Sequence, residues 1–506
     1  MFAKTLGSTT LGLNGVLITV EVDITNGLPG WEIVGLPDTA VRESRERVRA
    51  AIKNAGFEFP ARRITVNLAP ADLKKDSSGL DLPIAVGMLA ALGHITVDSC
   101  QQYLFVSELS LDGKLRGISG ILPMAIHSLE QGISEIFVAA ENVQEALLVS
   151  GLTVYSPRTL AQLAAHLRGD CLLLPESKQA VGSQVQSAED FADVQGQVVA
   201  KRALEIAAAG GHNVLMAGPP GSGKTMLAQR IPSILPVMSD QEALEVTKIY
   251  SVAGLLTNTS GLIRTRPFRN PHHTISAAGM IGGGRIPRPG EVTLSHNGVL
   301  FLDELPEFPR QVMEVLRQPL EDGHVTISRV NASLSYPAKS MLIAAMNPCP
   351  CGFLTDPSHP CSCSPGDIHR YTKKISGPLL DRIDIHIHVP RLEYNEMTGT
   401  NPSESSVQIR RRVEAARQLQ QQRLEKFGLH CNAQMSHKHL KNLCPLTAGA
   451  QSLLKQAFAK MSLSARGYDR IIKVGRTIAD LANSSAISDV HIAEAIHLRD
   501  SLKEIL

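Results

Sequence analysis

The stretch Asn213-Val-Leu-Met-Ala217 runs directly into Gly218-Pro-Pro-Gly-Ser-Gly-Lys-Thr225, and Met226 to Gln229 continues as a helix-forming run. A short apolar strand, a glycine-rich turn and a helix in that order fit the pattern G-x-x-x-x-G-K-[ST]. The chemistry needs these residue types. Gly221 and Gly223 let backbone N–H groups turn inward around phosphate oxygens, and the helix N-terminus behind them adds partial positive charge. Lys224 can reach β- and γ-phosphates, and Thr225 offers a hydroxyl to Mg²⁺. The expected binding loop is therefore Gly218, Pro219, Pro220, Gly221, Ser222, Gly223, Lys224 and Thr225, with ATP and Mg²⁺ as its ligands.

A second motif follows on the same stretch of chain. Gly298 to Leu302 (GVLFL) reads as a fully apolar strand ending in Asp303-Glu304. Two carboxylates at the end of a buried strand need a cation or a water to justify them. Asp303 is expected to hold Mg²⁺ and Glu304 to polarise an attacking water, which makes hydrolysis the expected outcome. Lys224 and Asp303 are 79 residues apart, whereas a minimal strand–helix–strand unit takes about 30. Extra elements must lie between them. Met341 to Met346 is another apolar strand, ending at Asn347. Gly377 to Asp384 (GPLLDRID) carries Arg382, and Arg466 opens a helical run, Ser464 to Leu481.

Around this centre the chain divides. Its 506 residues suggest roughly three domains. Residues 1–174 mix strands (Gly15 to Ile24, Arg63 to Asn67, Ile136 to Ala139) with helices (Val41 to Ala55, the buried Pro83 to Leu92) and a hairpin between Leu104 and Ile118. The apolar stretch from Leu11 to Val20 reads as the first strand. Residues 175–189 are polar and read as a linker, 190–390 as the phosphate-binding domain, and 391–506 as a helical end with apolar residues at helical spacing. Arg410, Arg411, Arg412, Arg417 and Arg423 line one helix there and read as a solvated face.

Composition narrows the class. At 43% hydrophobic and 19% charged, the chain is not disordered. Aromatics at 4% argue against a base-stacking surface. The net charge is only +2, so any nucleic-acid binding must come from local patches. No apolar run approaches a membrane span, and eight cysteines are too few for a disulfide scaffold. A cytoplasmic protein is expected. Four of the cysteines form C-x-C-x9-C-x-C: Cys349, Cys351, Cys361 and Cys363. Four thiolates can close a structural tetrahedral Zn²⁺ site. His359 is an alternative ligand.

Taken together, FADVQGQ (Phe191 to Gln197), the glycine-rich loop, RPFRNPHHT (Arg266 to Thr274), GVLFLDELPEF (Gly298 to Phe308), LRQPLEDG (Leu316 to Gly323), AAMNPCPCG (Ala344 to Gly352) and GPLLDRID resemble the ComM/YifB family of magnesium-chelatase-like AAA+ ATPases. The resemblance implies an α/β fold in three parts. A Lon protease-like N-terminal domain opens the chain. A central AAA+ domain follows, with a pre-sensor hairpin and a helical insert, and a C-terminal helical lid ends it. It implies a homo-hexameric ring ATPase acting on DNA, a helicase promoting branch migration during homologous recombination in natural transformation, with recombination proteins as possible partners. Asn347 matches the family's first sensor, Arg382 its arginine finger and Arg466 its second sensor, with Arg470 the runner-up. Two pore elements are implied, around Pro271 to Gly290 and His324 to Ala338. Arg285, Arg288, Arg329 and Asn331 are the expected DNA contacts, within a local concentration of charge that includes Arg264, Arg266 and Arg269. The alternatives are the ATPase subunit of a magnesium chelatase and a protease-type machine. In the Lon-like part the nucleophile position falls on Ser78 or Gly79, and Arg116 to Ala125 lacks the partner lysine. Lys74, Lys75 and Lys114 are the nearby amines, so proteolysis is not expected.

Overall fold

Alternating small and β-branched residues between Phe2 and Thr25 build an antiparallel pair, Phe2–Leu11 against Asn14–Thr25, in register from Phe2 opposite Asp23 to Leu11 opposite Asn14. The computed structural model describes residues 1–502 except 76, 98–99, 179–188, 257–260, 285–286, 330–331, 393–402 and 462. The first strand is thus Phe2–Leu11. The apolar stretch expected to be that strand instead spans a tight turn, where Gly12 takes a φ of +63°, and enters the second strand.

The chain forms two compact units. The first holds Met1–Gln184 together with Asp240–Ile263. Its seven-stranded sheet runs in the order Gly30–Val34, Arg63–Ala69, Asn14–Thr25, Phe2–Leu11, Tyr103–Val106, Glu135–Val138, Thr153–Tyr155. The helix Asp81–Ala91 is buried at all eleven positions, which explains its almost uninterrupted apolar sequence. The expected hairpin is shorter than the sequence implied. Tyr103–Val106 joins the main sheet, and only Glu108–Leu109 pairs with Leu115–Arg116. The helix Asp240–Ala253, expected within the phosphate-binding domain, packs in this first unit. There Gly120 N–H donates to Ser251 O, and the Ser251 hydroxyl donates to Glu145. Of the expected linker, only residues 175–178 and 189 are described.

The second unit holds Val185–Ser239 and Arg264–Leu506. Its sheet is parallel throughout, in the order Phe268–Arg269, Val299–Leu302, Met341–Met346, Val214–Ala217, Ile385–His388. The three strands Val214–Ala217, Val299–Leu302 and Met341–Met346 are buried at every position, as expected for parallel strands covered on both faces. Parallel register aligns their carboxyl ends, so Gly218, Asp303 and Asn347 emerge along one edge. Between Lys224 and Asp303 lie the hairpin Gly282–Gly283 with Arg288–Pro289 and two short helices; His324–Arg329 with Ala332–Pro337 forms the second expected hairpin.

Helices Ser406–Leu424, His437–Leu443, Ala448–Met461, Ala465–Leu481 and Asp489–Asp500 complete this unit and share one hydrophobic core with the sheet. The arginine-rich helix is not simply a solvated face: Arg411 is exposed, but the other four arginines are engaged within the unit. Arg410 bonds the Ser233 carbonyl, Arg412 pairs with Glu205 and Glu404, Arg417 bonds Ala208 O, and Arg423 pairs with the buried Asp480. Only the pattern of charge is visible in sequence; the carbonyls and acids that absorb it come from elsewhere in the unit.

Candidate functional site

The turn after Val214–Ala217 is shaped by glycine where backbone must pass closely. A Cβ on Gly218 would lie 2.1 Å from Val389 O, and Gly221 and Gly223 take φ of +74° and +89°. The helix Lys224–Ile234 then begins with no acidic residue in its first turn, leaving its positive end for an external anion. Lys224 is largely buried and donates to the loop's own carbonyls, Gly218 O at 2.7 Å and Pro219 O at 2.9 Å, with Ser222 Oγ and Asn347 Oδ1 each at 3.4 Å. Burial pushes its amine down to about 8, against the upward pull of Asp303. A buried ammonium held only by neutral oxygens is the environment a phosphate oxygen would improve.

Thr225 Oγ1 donates to Asp303 Oδ2 at 2.7 Å, so two hard oxygens meet beside the loop. This donor set suits Mg²⁺, which prefers oxygen ligands and retains water. Glu304 follows in a left-handed conformation, φ +52°, with its N–H bonded to Asp303 Oδ1. Its carboxylate lies 3.2 Å from His273 Nδ1, and the His273 ring stands 4.1 Å from that of His272. Lys224, Thr225, Asp303 and Asn347 are therefore brought together directly, with Glu304 next in the chain.

Arg382 and Arg466 form a second group. Arg382 is buried, donating to Glu321 Oε2 at 2.7 Å and to Pro378 O at 2.6 Å. Arg466, largely exposed, takes the other oxygen of the same carboxylate at 3.1 Å. Arg470 is instead locked onto the buried Asp384, whose carboxyl it holds well below the usual range against the opposing cost of burial. Of the two second-sensor candidates, Arg466 is thus the one with an exposed head group. Sequence reading gave no role to Glu321 or His273, although both lie in motifs it quoted. Nothing in linear order announces that Glu321 meets two arginines 61 and 145 residues away.

The four cysteines converge. Cys349 Sγ lies 3.3 Å from Cys351 Sγ and 3.7 Å from Cys361 Sγ, Cys351 and Cys361 are 3.5 Å apart, and all four sulfurs lie within 4.8 Å of one another. These separations far exceed a disulfide, about 2.0 Å. They approach the edge of a tetrahedron with metal–sulfur bonds of about 2.3 Å, about 3.8 Å. Backbone N–H groups point at sulfur as well: Cys351 to Cys363 Sγ, and Cys363 to Cys361 Sγ. Backbone N–H groups of Phe353 and Ser362 draw the Cys351 thiol down to about 5, while burial and then neighbouring sulfur push Cys349 up to about 12. Sulfurs this close cannot all ionise without a cation among them. His359 stacks on Phe353 and lies 3.5 Å from the buried Asp356, outside this sulfur group.

Elsewhere the expectations divide. Arg266 bonds the Pro236 and Asn297 carbonyls, and Arg269 makes a two-pronged pair with Glu291, so these two are engaged within the fold. Arg288 is exposed on the first hairpin. Arg285 and Asn331 lie outside the described residues, as does the side chain of Arg329. The two hairpins are joined, with Tyr336 OH donating to Pro287 O at 2.7 Å. In the first unit, a Cβ on Gly79 would lie 2.5 Å from Ile118 Cδ1. Lys74 pairs with Asp38, Lys75 donates to Gly35 O and Pro70 O, and Lys114 pairs with Asp112. Each of the three nearby amines thus has another partner.

The family model described as magnesium chelatase, subunit ChlI, matches residues 190–397; subunit ChlI of Mg-chelatase matches 20–142, and the ChlI C-terminal model matches 403–499. Competence protein ComM of Haemophilus influenzae is 44% identical over 495 residues, 97% of this chain and 96% of that protein. YifB of Escherichia coli is 44% identical over 491 residues, covering 97% and 95%. Lon protease 2 of Bacillus subtilis is 32% identical over 147 residues, 27% of this chain and 26% of its own length. With near-complete coverage by two such relatives and a parallel sheet that carries the loop, the carboxylates and Asn347 on one edge, the chain belongs to the ComM/YifB family of magnesium-chelatase-like AAA+ proteins.

Proposed function

We propose that this chain is an ATP-hydrolysing ring motor acting on DNA, a ComM-like helicase that promotes branch migration during the homologous recombination of natural transformation. The observation that carries the reading is the convergence of Lys224, Thr225, Asp303 and Asn347 beside Glu304 at the carboxyl ends of the parallel strands. Lys224 and the loop N–H groups bind the phosphates, and Thr225 with Asp303 would hold Mg²⁺, which when bound offsets phosphate charge. Glu304 orients water and accepts its proton as the water oxygen bonds to the γ-phosphorus. The bond to the bridging oxygen breaks, ADP leaves with the electron pair, and Asn347 steadies the departing phosphate. Arg382, held by Glu321, would act as the arginine finger on the nucleotide of an adjacent copy, and Arg466 on the same carboxylate as the second sensor, in a homo-hexameric ring. Arg288, with Arg285, Arg329 and Asn331, contacts DNA. The cysteine tetrad holds a structural zinc ion. Work on chromosomal DNA with recombination proteins places the protein in the cytoplasm; no described helix is long and apolar enough to cross a membrane.

The test is the rate of ATP hydrolysis by the purified chain with a four-way DNA junction, with porphyrin plus chelatase partner subunits, or with casein. The junction alone is expected to stimulate it. Stimulation only by porphyrin or casein would replace this reading with a chelatase or a protease machine.

A further inference from the structure

The segment Cys349–Cys363 has neither helix nor strand, yet it follows directly on Asn347 and touches the phosphate loop's surroundings at two places. It starts two residues after Asn347, whose Oδ1 lies 3.4 Å from Lys224 Nζ. In its middle, Gly352 is packed so closely on the loop that a Cβ there would lie 2.7 Å from Pro220 Cδ. Further on, the Thr355 hydroxyl and His388 Nε2 are 2.9 Å apart. His388 ends the strand beside the loop strand, and the next residue, Val389, receives Gly218 against its carbonyl and donates its N–H to Ala217 O at 2.8 Å. Asp356 is buried, within 3.5 Å of His359 and 3.8 Å of Arg391.

A segment without secondary structure gains no order from backbone ladders, so a crosslink would offset much of the entropy cost of holding its shape. The sulfurs supply the crosslink. Cys349 and Cys351 flank the sensor end, Cys361 and Cys363 the far end, and a single tetrahedral ion between them closes the segment into a ring. We infer that a Zn²⁺ ion bound by Cys349, Cys351, Cys361 and Cys363 acts as a brace on the nucleotide pocket, fixing Pro220 and Asn347 so that the phosphate loop is preorganised. The inference rests on the reading of that loop as a nucleotide site and adds its control by a metal. Preorganisation lowers the ordering cost of binding, so its loss appears as weaker nucleotide affinity. The four thiols act through Pro220 and Asn347 and are positioning residues.

The experiment uses the full chain purified without chelator. Elemental analysis is expected to find about one zinc per chain, and Co²⁺ in its place should give the visible absorption of a tetrahedral thiolate site. Stripping the metal under reducing conditions should weaken binding of a fluorescent ATP analogue tenfold or more with the helical circular dichroism retained, and Zn²⁺ should restore it. Adding ADP to the cobalt form should shift the cobalt bands. Gly352→Ala keeps every thiol and should retain zinc while weakening the analogue several-fold. Absence of bound zinc or cobalt would overturn the site. A stripped chain, or a zinc-loaded Gly352→Ala chain, that binds the analogue as the wild type does would overturn the brace. If the zinc-loaded wild type ignores the analogue and Lys224→Ala changes nothing, the nucleotide reading fails instead, whatever the metal content.

Discussion

Two stretches in this molecule carry lysine and glycine ahead of a helix, and they have opposite fates. In the second unit, Gly218–Gly223 leads into Lys224–Ile234 with no acid in the helix's first turn. In the first unit, Lys75 and Gly79 precede Asp81–Ala91, which brings its own carboxylate, Asp81, in the first turn. Asp81 is buried and bonds Arg47 at 2.6 and 3.0 Å and Leu109 N–H at 3.2 Å. Lys75 is fully buried on two carbonyls, and Ile118 fills the space beyond Gly79. One helix start carries no acid of its own; the other is satisfied from within. The residue types are alike. The difference lies in where the acid comes from: Asp81 belongs to its own helix, whereas Asp303 reaches Thr225 from a neighbouring strand.

The largest expected effects fall on the second unit's site. Glu304→Gln should lower the rate of ATP hydrolysis by about 100-fold or more with analogue binding retained, and Lys224→Ala should lose both. A wild-type rate in either variant, in a steady-state phosphate-release assay, would break the contrast. In the first unit the effect should be on stability. Asp81→Ala leaves Arg47 without its buried partner and should cost about 3–5 kcal/mol in urea unfolding, with residual ATP hydrolysis of the folded fraction unchanged. Gly79→Ser, which restores a hydroxyl where a nucleophile is expected, meets Ile118 and should cost about 1–3 kcal/mol without yielding casein cleavage. Peptidase activity from that variant would reopen the protease reading.

A smaller effect sharpens the difference by acid. His386 is buried on the strand Ile385–His388, and burial, then Arg499, pushes its imidazole down to about 3. Unfolded, it titrates near 6.5. Its neutral form is matched in both states above pH 6.5. Below that, the unfolded chain takes a proton the folded one refuses, so stability of the second unit falls as pH drops from 6.5 toward 3, by up to about 1.4 kcal/mol per unit. His386→Asn should flatten that slope in urea titrations between pH 7 and 5.

The strand of Val214–Ala217, the loop and Asp303-Glu304 were legible because each is a local signal: an apolar run, glycines at fixed offsets, acids at a strand end. The apolar strands Val299–Leu302 and Met341–Met346 were legible for the same reason, while the edge strands Phe268–Arg269 and Ile385–His388 were not, since their short runs carry charge or histidine. What linear reading missed depends on distant partners. The arginines of Ser406–Leu424 look solvated until Glu205, Asp480 and three carbonyls are seen to absorb them. The helix Asp240–Ala253 reads as part of the phosphate-binding stretch, but its Ser251 answers Glu145 of the first unit. Glu321 is one acid in LRQPLEDG until two arginines close on it. Gly352 shows the opposite case, a glycine whose reason is the approach of Pro220.

The most direct measurement of the central claim is ATP hydrolysis by the purified chain with and without a four-way DNA junction, alongside its mass by sedimentation in the presence of nucleotide. The account predicts a junction-stimulated rate, lost in Glu304→Gln, from an assembly of several copies. A single protomer whose rate is indifferent to DNA would contradict it.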